Sequence, residues 1–145
     1  MGPYKKNLIA TDGSPRTRKA VEQGIELAKS VDAKLYAVSV VDTSAFASIP
    51  AGAAWGKMYD LLHEEGEKAA RTVEEMAKKN GVNVRSEVLV GQPATEIINF
   101  AEENDVDLIV IGTLGKTGLE RFLLGSVAEK VIRTSPVSVM VVRGR

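Results

Sequence analysis

The stretch GTLGKTGLERFLLGS, residues 112–126, sets four of the chain's thirteen glycines directly after the apolar run LIVI. Glycine at such a point frees the backbone to turn with positive φ, and it lets main-chain amides approach an anion with no Cβ in between. The tripeptide Gly115-Lys116-Thr117 imitates the end of a P-loop, a cradle for a triphosphate. A P-loop also needs glycine five positions earlier, and that position is Val110, inside the apolar run. The chemistry open to this stretch is therefore of another kind. Gly112 and Gly115 stand just past a strand, and Gly125-Ser126 opens a helix running through Val131, whose unpaired amides and positive dipole end favour a phosphate. Two anion sites on one stretch suit a polyphosphate. Lys116 and Arg121 lie between the glycines and could neutralise its charge, although such side chains are more often merely solvated.

Other chemistries are poorly supplied. The only histidine, His63, falls in an amphipathic segment beside Leu62 and Glu64, on the side expected to face solvent. One histidine and no cysteine exclude a histidine-based metal centre, every thiolate site and a disulfide framework, and a serine triad lacks a credible base. A dinucleotide fold would place G-x-G-x-x-G after the first strand, where only Gly13 occurs, so hydride transfer to NAD is not expected. Asp12 and Asp42 each end an apolar run, and Asp12 could bind Mg²⁺ directly or through water; neither has an obvious partner base for ATP hydrolysis.

The elements that must position these groups alternate in kind. Leu8–Ala10, Lys34–Val41, Asn83–Val90, Leu108–Ile111 and Val137–Val142 are short, apolar and rich in β-branched residues, and read as five strands. Helical spacing lies between them, as in Ala20, Val21, Ile25 and Ala28, and again in Met58, Leu61, Leu62, Ala69, Val73 and Met76, an ordinary core stripe. Continuous apolar strands joined by helices predict a doubly wound α/β domain with a parallel sheet. Ser14-Pro15, Gln92-Pro93 and the capping-box spacing Ser126 to Glu129 mark helix starts, and Gly81 a helix stop. Residues 42–57, DTSAFASIPAGAAWGK, show neither period and read as a crossing segment, either a lid or a surface linker. In open α/β sheets ligands settle at the carboxyl ends of the strands, which directs attention to Thr11-Asp12-Gly13-Ser14, Val41-Asp42, Val90-Gly91-Gln92-Pro93 and the glycine stretch.

At 145 residues the chain is one domain's worth, enough to bury about two thirds of its unfolded surface. Nineteen basic and nineteen acidic side chains cancel, so net charge predicts no capture of nucleic acid or anionic membrane. No segment resembles a secretory signal or a membrane span, and the protein is expected to be cytoplasmic.

Gly112, two residues, Gly115, nine residues, then Gly125-Ser126 resembles the G-2x-G-9x-G-[S/T] ATP-binding signature of the universal stress protein family. LIATDGS, SVVD, VLVGQPATEIINFAEENDVDLIVIG and LLGSVAEKVIRTSPVSVMVV resemble that family's successive blocks, so the similarity covers nearly the whole chain, with 43–80 matched weakly. The resemblance implies a Rossmann-like domain spanning residues 1–145, with sheet order 3-2-1-4-5 and Asp12 across the crevice from Gly112. It implies ATP with Mg²⁺ or Mn²⁺, Asp12 at the adenosine end, the Val41 backbone against adenine, and Gly112, Gly115, Gly125, Ser126 and Val127 around ribose and phosphates. Thr11, Val90, Gly91 and Pro93 would complete the wall. The family often has serine followed by histidine or arginine between its first two glycines; Thr113-Leu114 stands here, which weakens side-chain contact to phosphate there but leaves the backbone cradle.

Two roles are open to Asp12, ligand contact and capping the turn before the first helix; Ser126 could cap its own helix and contact phosphate together. Three function classes follow: a nucleotide-dependent regulatory module in the stress response acting on an unknown protein partner, a ligand-free signalling or scaffolding dimer, and a slow ATPase. VSVMVV, uncharged and near the C-terminus, would be exposed as an edge strand, and pairing two copies antiparallel through 137–142 would cover it. The family resemblance implies that homodimer.

Overall fold

In the computed structural model, which describes residues 4–46, 52–113 and 125–143, strand β1 (Lys6–Ala10) is buried on both faces. Leu8 and Ala10 point into one core and Ile9 into another, as a period-2 strand between two layers requires. Along the chain β1 is followed by α1 (Arg18–Val31), β2 (Lys34–Asp42), α2 (Ala53–Lys79), β3 (Val84–Gly91), α3 (Pro93–Glu103), β4 (Leu108–Gly112), α4 (Ser126–Thr134) and β5 (Ser138–Val142). All pairings are parallel and the spatial order is β3-β2-β1-β4-β5, the architecture expected from the sequence.

The two layers divide cleanly. Ile9, Leu35, Ala37, Leu108 and Val110 share a core with Ala20, Val21, Ile25 and Ala28 of α1 and with Val73 and Ala77 of α2. Leu8, Tyr36, Val38, Ile109 and Ile111 share the other with Ala94, Ile97, Phe100 and Ala101 of α3 and with Ala128 and Val131 of α4. Leu8, Ile9, Leu35 and Ile109 are fully buried, and each such side chain contributes about 1.5–3 kcal/mol. Tyr36 meets Phe100 edge to face at 5.3 Å, fixing α3 over β2. Asn7 is also fully buried, on the Ile9 face of β1, and among the described residues neither its side-chain carbonyl nor its amide finds a hydrogen-bond partner.

The helix ends correct several expectations. Gln92 caps α3 as expected, its Oε1 accepting the Thr95 amide at 2.9 Å. Ser14 precedes a 3-10 turn at Pro15–Thr17 but its hydroxyl makes no cap bond; the Asp12 carboxylate, two residues earlier, accepts the Ser14 amide instead. The cap of α4 is Gly125, not Ser126, which is already the first helical residue; the Glu129 amide donates to the Gly125 carbonyl, and the Glu129 side chain pairs with Arg133. Gly81 (φ +75°) stops α2: its amide donates to Lys78 and that of Val82 to Ala77, the paired bonds of a Schellman end. Gly112 does not turn with positive φ; it is the last residue of β4, in register with Val142.

Within 42–57 the described residues take regular structure where composition showed neither period. Strand β2 runs through Asp42, whose Oδ1 accepts the Ser44 amide at 2.9 Å and starts a 3-10 turn over Thr43–Phe46. α2 already begins at Ala53, and residues 47–51 lie outside the described residues. Buried Phe46 packs on Trp55 at 4.7 Å, and Trp55 stacks on Tyr59 at 5.9 Å, so aromatic contacts replace the missing hydrophobic period.

Candidate functional site

At the carboxyl ends of β1, β2 and β4 the helices leave to opposite sides of the sheet, α1 and α2 to one and α3 and α4 to the other, opening a cleft of about 400 Å³. That volume lies within the range of small-molecule sites. Its inner wall is apolar, with Ala10, Val38, Val41, Ile97 and Ile111; its rim is polar, with Thr11, Asp12, Asp42, Glu65 and Ser126.

The turn after β1 fixes Asp12. The Thr11 amide donates to the Val38 carbonyl at 2.9 Å, which continues the β1–β2 pairing one residue past the strand. The Gly13 amide donates to Thr11 Oγ1, and Asp12 Oδ1 accepts the Ser14 amide at 2.9 Å, an Asx turn that holds the carboxylate at the cleft. Gly13 has φ +79°, and a Cβ there would stand 3.0 Å from that of Ala69, so only glycine lets the turn sit under α2. Asp12 therefore does cap the turn, and it also lines the cleft.

On the opposite side Thr113 follows β4. Its amide donates to the Val142 carbonyl of β5 at 3.0 Å, and its carbonyl accepts the Gly125 amide at 2.6 Å. This places the first turn of α4 against the cleft: Gly125, Ser126, Val127 and Ala128 all line it. The amides of the first turn have no acceptor within the helix, so donors and a positive dipole end meet the cavity.

Of the residues singled out from the sequence, Thr11, Asp12, Val41, Pro93, Gly112, Gly125, Ser126 and Val127 come together around this cleft. Val90 and Gly91 do not line it: they pair with Val41 and Asp42 one strand further out, and Val90 is exposed. Gly115, with Lys116 and Arg121, lies outside the described residues. His63 is not part of the lining; it rests on Tyr59, with Nδ1 3.5 Å from Glu67 Oε1. Sequence reasoning missed the wall supplied by α2, namely Leu62, Glu65 and Gly66, and Ser39 on β2 beneath it. The available signal was Gly66, a glycine inside an amphipathic helix, which marks a close approach: a Cβ there would stand 3.3 Å from Val88 Cγ1 and 3.5 Å from Ser39 Oγ. A second, polar hollow of about 430 Å³ continues outward over Asp42, Pro93, Ser126 and Val127 to Lys130 and Arg133.

Asp12 supplies a hard oxygen donor of the kind Mg²⁺ takes. Among the described residues no group of three or more His, Asp or Glu side chains could hold a metal alone, so any such ion would take most of its ligands from a bound phosphate and water. Among the same residues no helix is long and apolar enough to cross a membrane.

The Universal stress protein family model matches residues 3–143. A universal stress protein of Methanocaldococcus jannaschii is 50% identical over 140 residues, 97% of this chain and 82% of the relative. Universal stress protein UspA from Lactobacillus plantarum has a similar structure, with a TM-score of 0.85 at 25% identity over 99% of this chain and all of that one. A universal stress protein from Archaeoglobus fulgidus, solved in complex with dAMP, shares the fold with a TM-score of 0.68 at 24% identity, over 97% of this chain and 98% of its own.

Proposed function

The chain belongs to the universal stress protein family, and from that premise we propose that its cleft binds ATP with Mg²⁺ or Mn²⁺ as the input of a cytoplasmic regulatory module of the stress response. The observation that supports this most is the placement of the α4 N-terminus: four consecutive residues, Gly125–Ala128, line one side of a cleft whose inner wall is apolar. Such a site offers amides to an anion and a dry slot to a planar base. In this reading Asp12 holds the ribose end and shares the cation, and Val41 presents its backbone to the base. Gly112, Gly125, Ser126 and Val127 surround ribose and phosphates, with Thr11 and Pro93 completing the wall. Gly115, Val90 and Gly91 are carried over from the family motif. The fold holds an adenine nucleotide, dAMP, in the Archaeoglobus fulgidus protein. Bound cation would neutralise phosphate charge beside Asp12. Denaturing the purified protein and identifying released nucleotide by mass spectrometry tests the reading. An empty protein whose melting temperature stays fixed under saturating ATP and Mg²⁺ would sink it.

One observation favours a second reading. A Cβ at Gly125 would stand 3.1 Å from the Thr113 carbonyl oxygen, so this glycine has a backbone reason to exist without any ligand. A ligand-free scaffolding dimer of the same fold is the function that reading supports, and the absence of any ATP-dependent change in melting distinguishes it. A slow ATPase would in addition show multiple turnovers abolished by Asp12→Ala. In either regulatory reading the chain pairs with a second copy through β5, an edge strand of the sheet.

A further inference from the structure

We propose that the Ser39 hydroxyl is the contact that reads the buried edge of the nucleobase; this rests on the nucleotide reading of the cleft. Ser39 is 4% exposed and lines the cleft. Among the described residues its Oγ makes no hydrogen bond, and it is not sealed from solvent, as its place in the cleft lining requires. A hydroxyl in that position exchanges water for a polar ligand atom when the cleft fills, at no cost to the empty protein. Gly66 of α2 passes close over it: a Cβ there would meet Oγ at 3.5 Å, an ordinary contact distance.

Position decides which end of the ligand Ser39 meets. Ser39 is on β2, and β1 separates it from β4, whose far end leads to the α4 amides. Neighbouring strands lie about 4.8 Å apart, so roughly 10 Å separates β2 from β4, too far for one phosphate to touch both. The surroundings agree. Val38, Val41 and Leu62 are apolar, and the charged groups on this side of the cleft, Asp42 and Glu65, are carboxylates that repel phosphate. A ligand anchored by its anion at Ser126 therefore reaches Ser39 with its ring, and a hydroxyl, being both donor and acceptor, can pair with a ring nitrogen or an exocyclic group.

Calorimetry with ATP and Mg²⁺, and separately with AMP, on the wild type and on Ser39→Ala tests this, with melting of each apoprotein as control. Ser39→Ala is expected to weaken both ligands by the same factor, about tenfold, while the apoprotein melts as before because no protein contact is lost. Unchanged ATP affinity overturns the assignment. So does weakening accompanied by a lowered apoprotein melting temperature, which marks a structural role, or a loss seen with ATP while AMP is unaffected or unbound, which moves Ser39 to the phosphates. A wild type that binds neither nucleotide overturns the function itself, and is told apart from the other outcomes before any variant is made.

Discussion

The Gly125 amide and the Thr113 carbonyl meet at 2.6 Å, closing the two ends of the chain that flank residues 114–124 onto one another. A side chain at Gly125 would press on the same carbonyl from 3.1 Å. Gly125→Ala is therefore expected to destabilise the protein by about 1–3 kcal/mol, a fall of several degrees in the melting temperature without nucleotide. If melting is unchanged and only ATP affinity falls, the glycine serves the ligand and not the backbone.

Asp12 carries two duties that substitution can separate. In Asp12→Asn the side-chain oxygen still accepts the Ser14 amide, so stability should stay within about 0.5 kcal/mol, while the increment in ATP affinity that Mg²⁺ provides is lost. Asp12→Ala removes the turn bond as well and should cost about 1 kcal/mol further. Titrating ATP with and without Mg²⁺ against both variants checks the separation.

Trp55 is the chain's only tryptophan; it stacks on Tyr59 and packs on Phe46, which also meets Tyr59 at 6.3 Å. Phe46 ends the turn that Asp42 starts at the cleft rim, so ligand entry should change Trp55 fluorescence in step with calorimetric occupancy. Phe46→Ala should cost about 3 kcal/mol and abolish that signal. A Trp55 spectrum indifferent to saturating ligand would disconnect this aromatic cluster from the site.

Asn7 offers a stability test remote from the cleft. Its side chain is fully buried with both polar groups unpaired among the described residues, so Asn7→Leu, of similar volume, should raise stability by about 1–3 kcal/mol. A chemical-denaturation midpoint that falls would show that the amide is satisfied in solution.

Pairing through β5 predicts a dimer by sedimentation of the unmodified protein at micromolar concentration. Val139→Lys is expected to give monomers, but Val139 also packs partly against the α3–α4 core, so the variant must still melt cooperatively for the result to count. An unmodified protein that sediments as a monomer refutes the arrangement directly.

Much of this was legible because the strands are buried on two sides. LIVI and LIATD have no solvent face to hide their pattern, and the parallel order followed from their helical connections. Eight of the eleven residues expected at the site meet at one cleft for the same reason, since each sits at a strand end or a helix start. What the sequence concealed was tertiary. Asp32 and Asp105, both with φ +56°, end α1 and α3 in the left-handed conformation that Gly81 alone suggested, and aspartate is a weaker stop signal than glycine. Ser39 and Gly66 are 27 positions apart, and only the crossing of α2 over β2 joins them. Val90 and Gly91 do not line the cleft although Pro93, two residues on, does, a difference that no local motif encodes.

All five residues of β4, Leu108–Gly112, are withdrawn from solvent, and hydrogen-bonded strands stand on either side of them. Amide protons there should be among the last to exchange with deuterium, while those of Thr43–Phe46 and the start of α2 exchange early. The floor beneath any guest should thus outlast the rim around it.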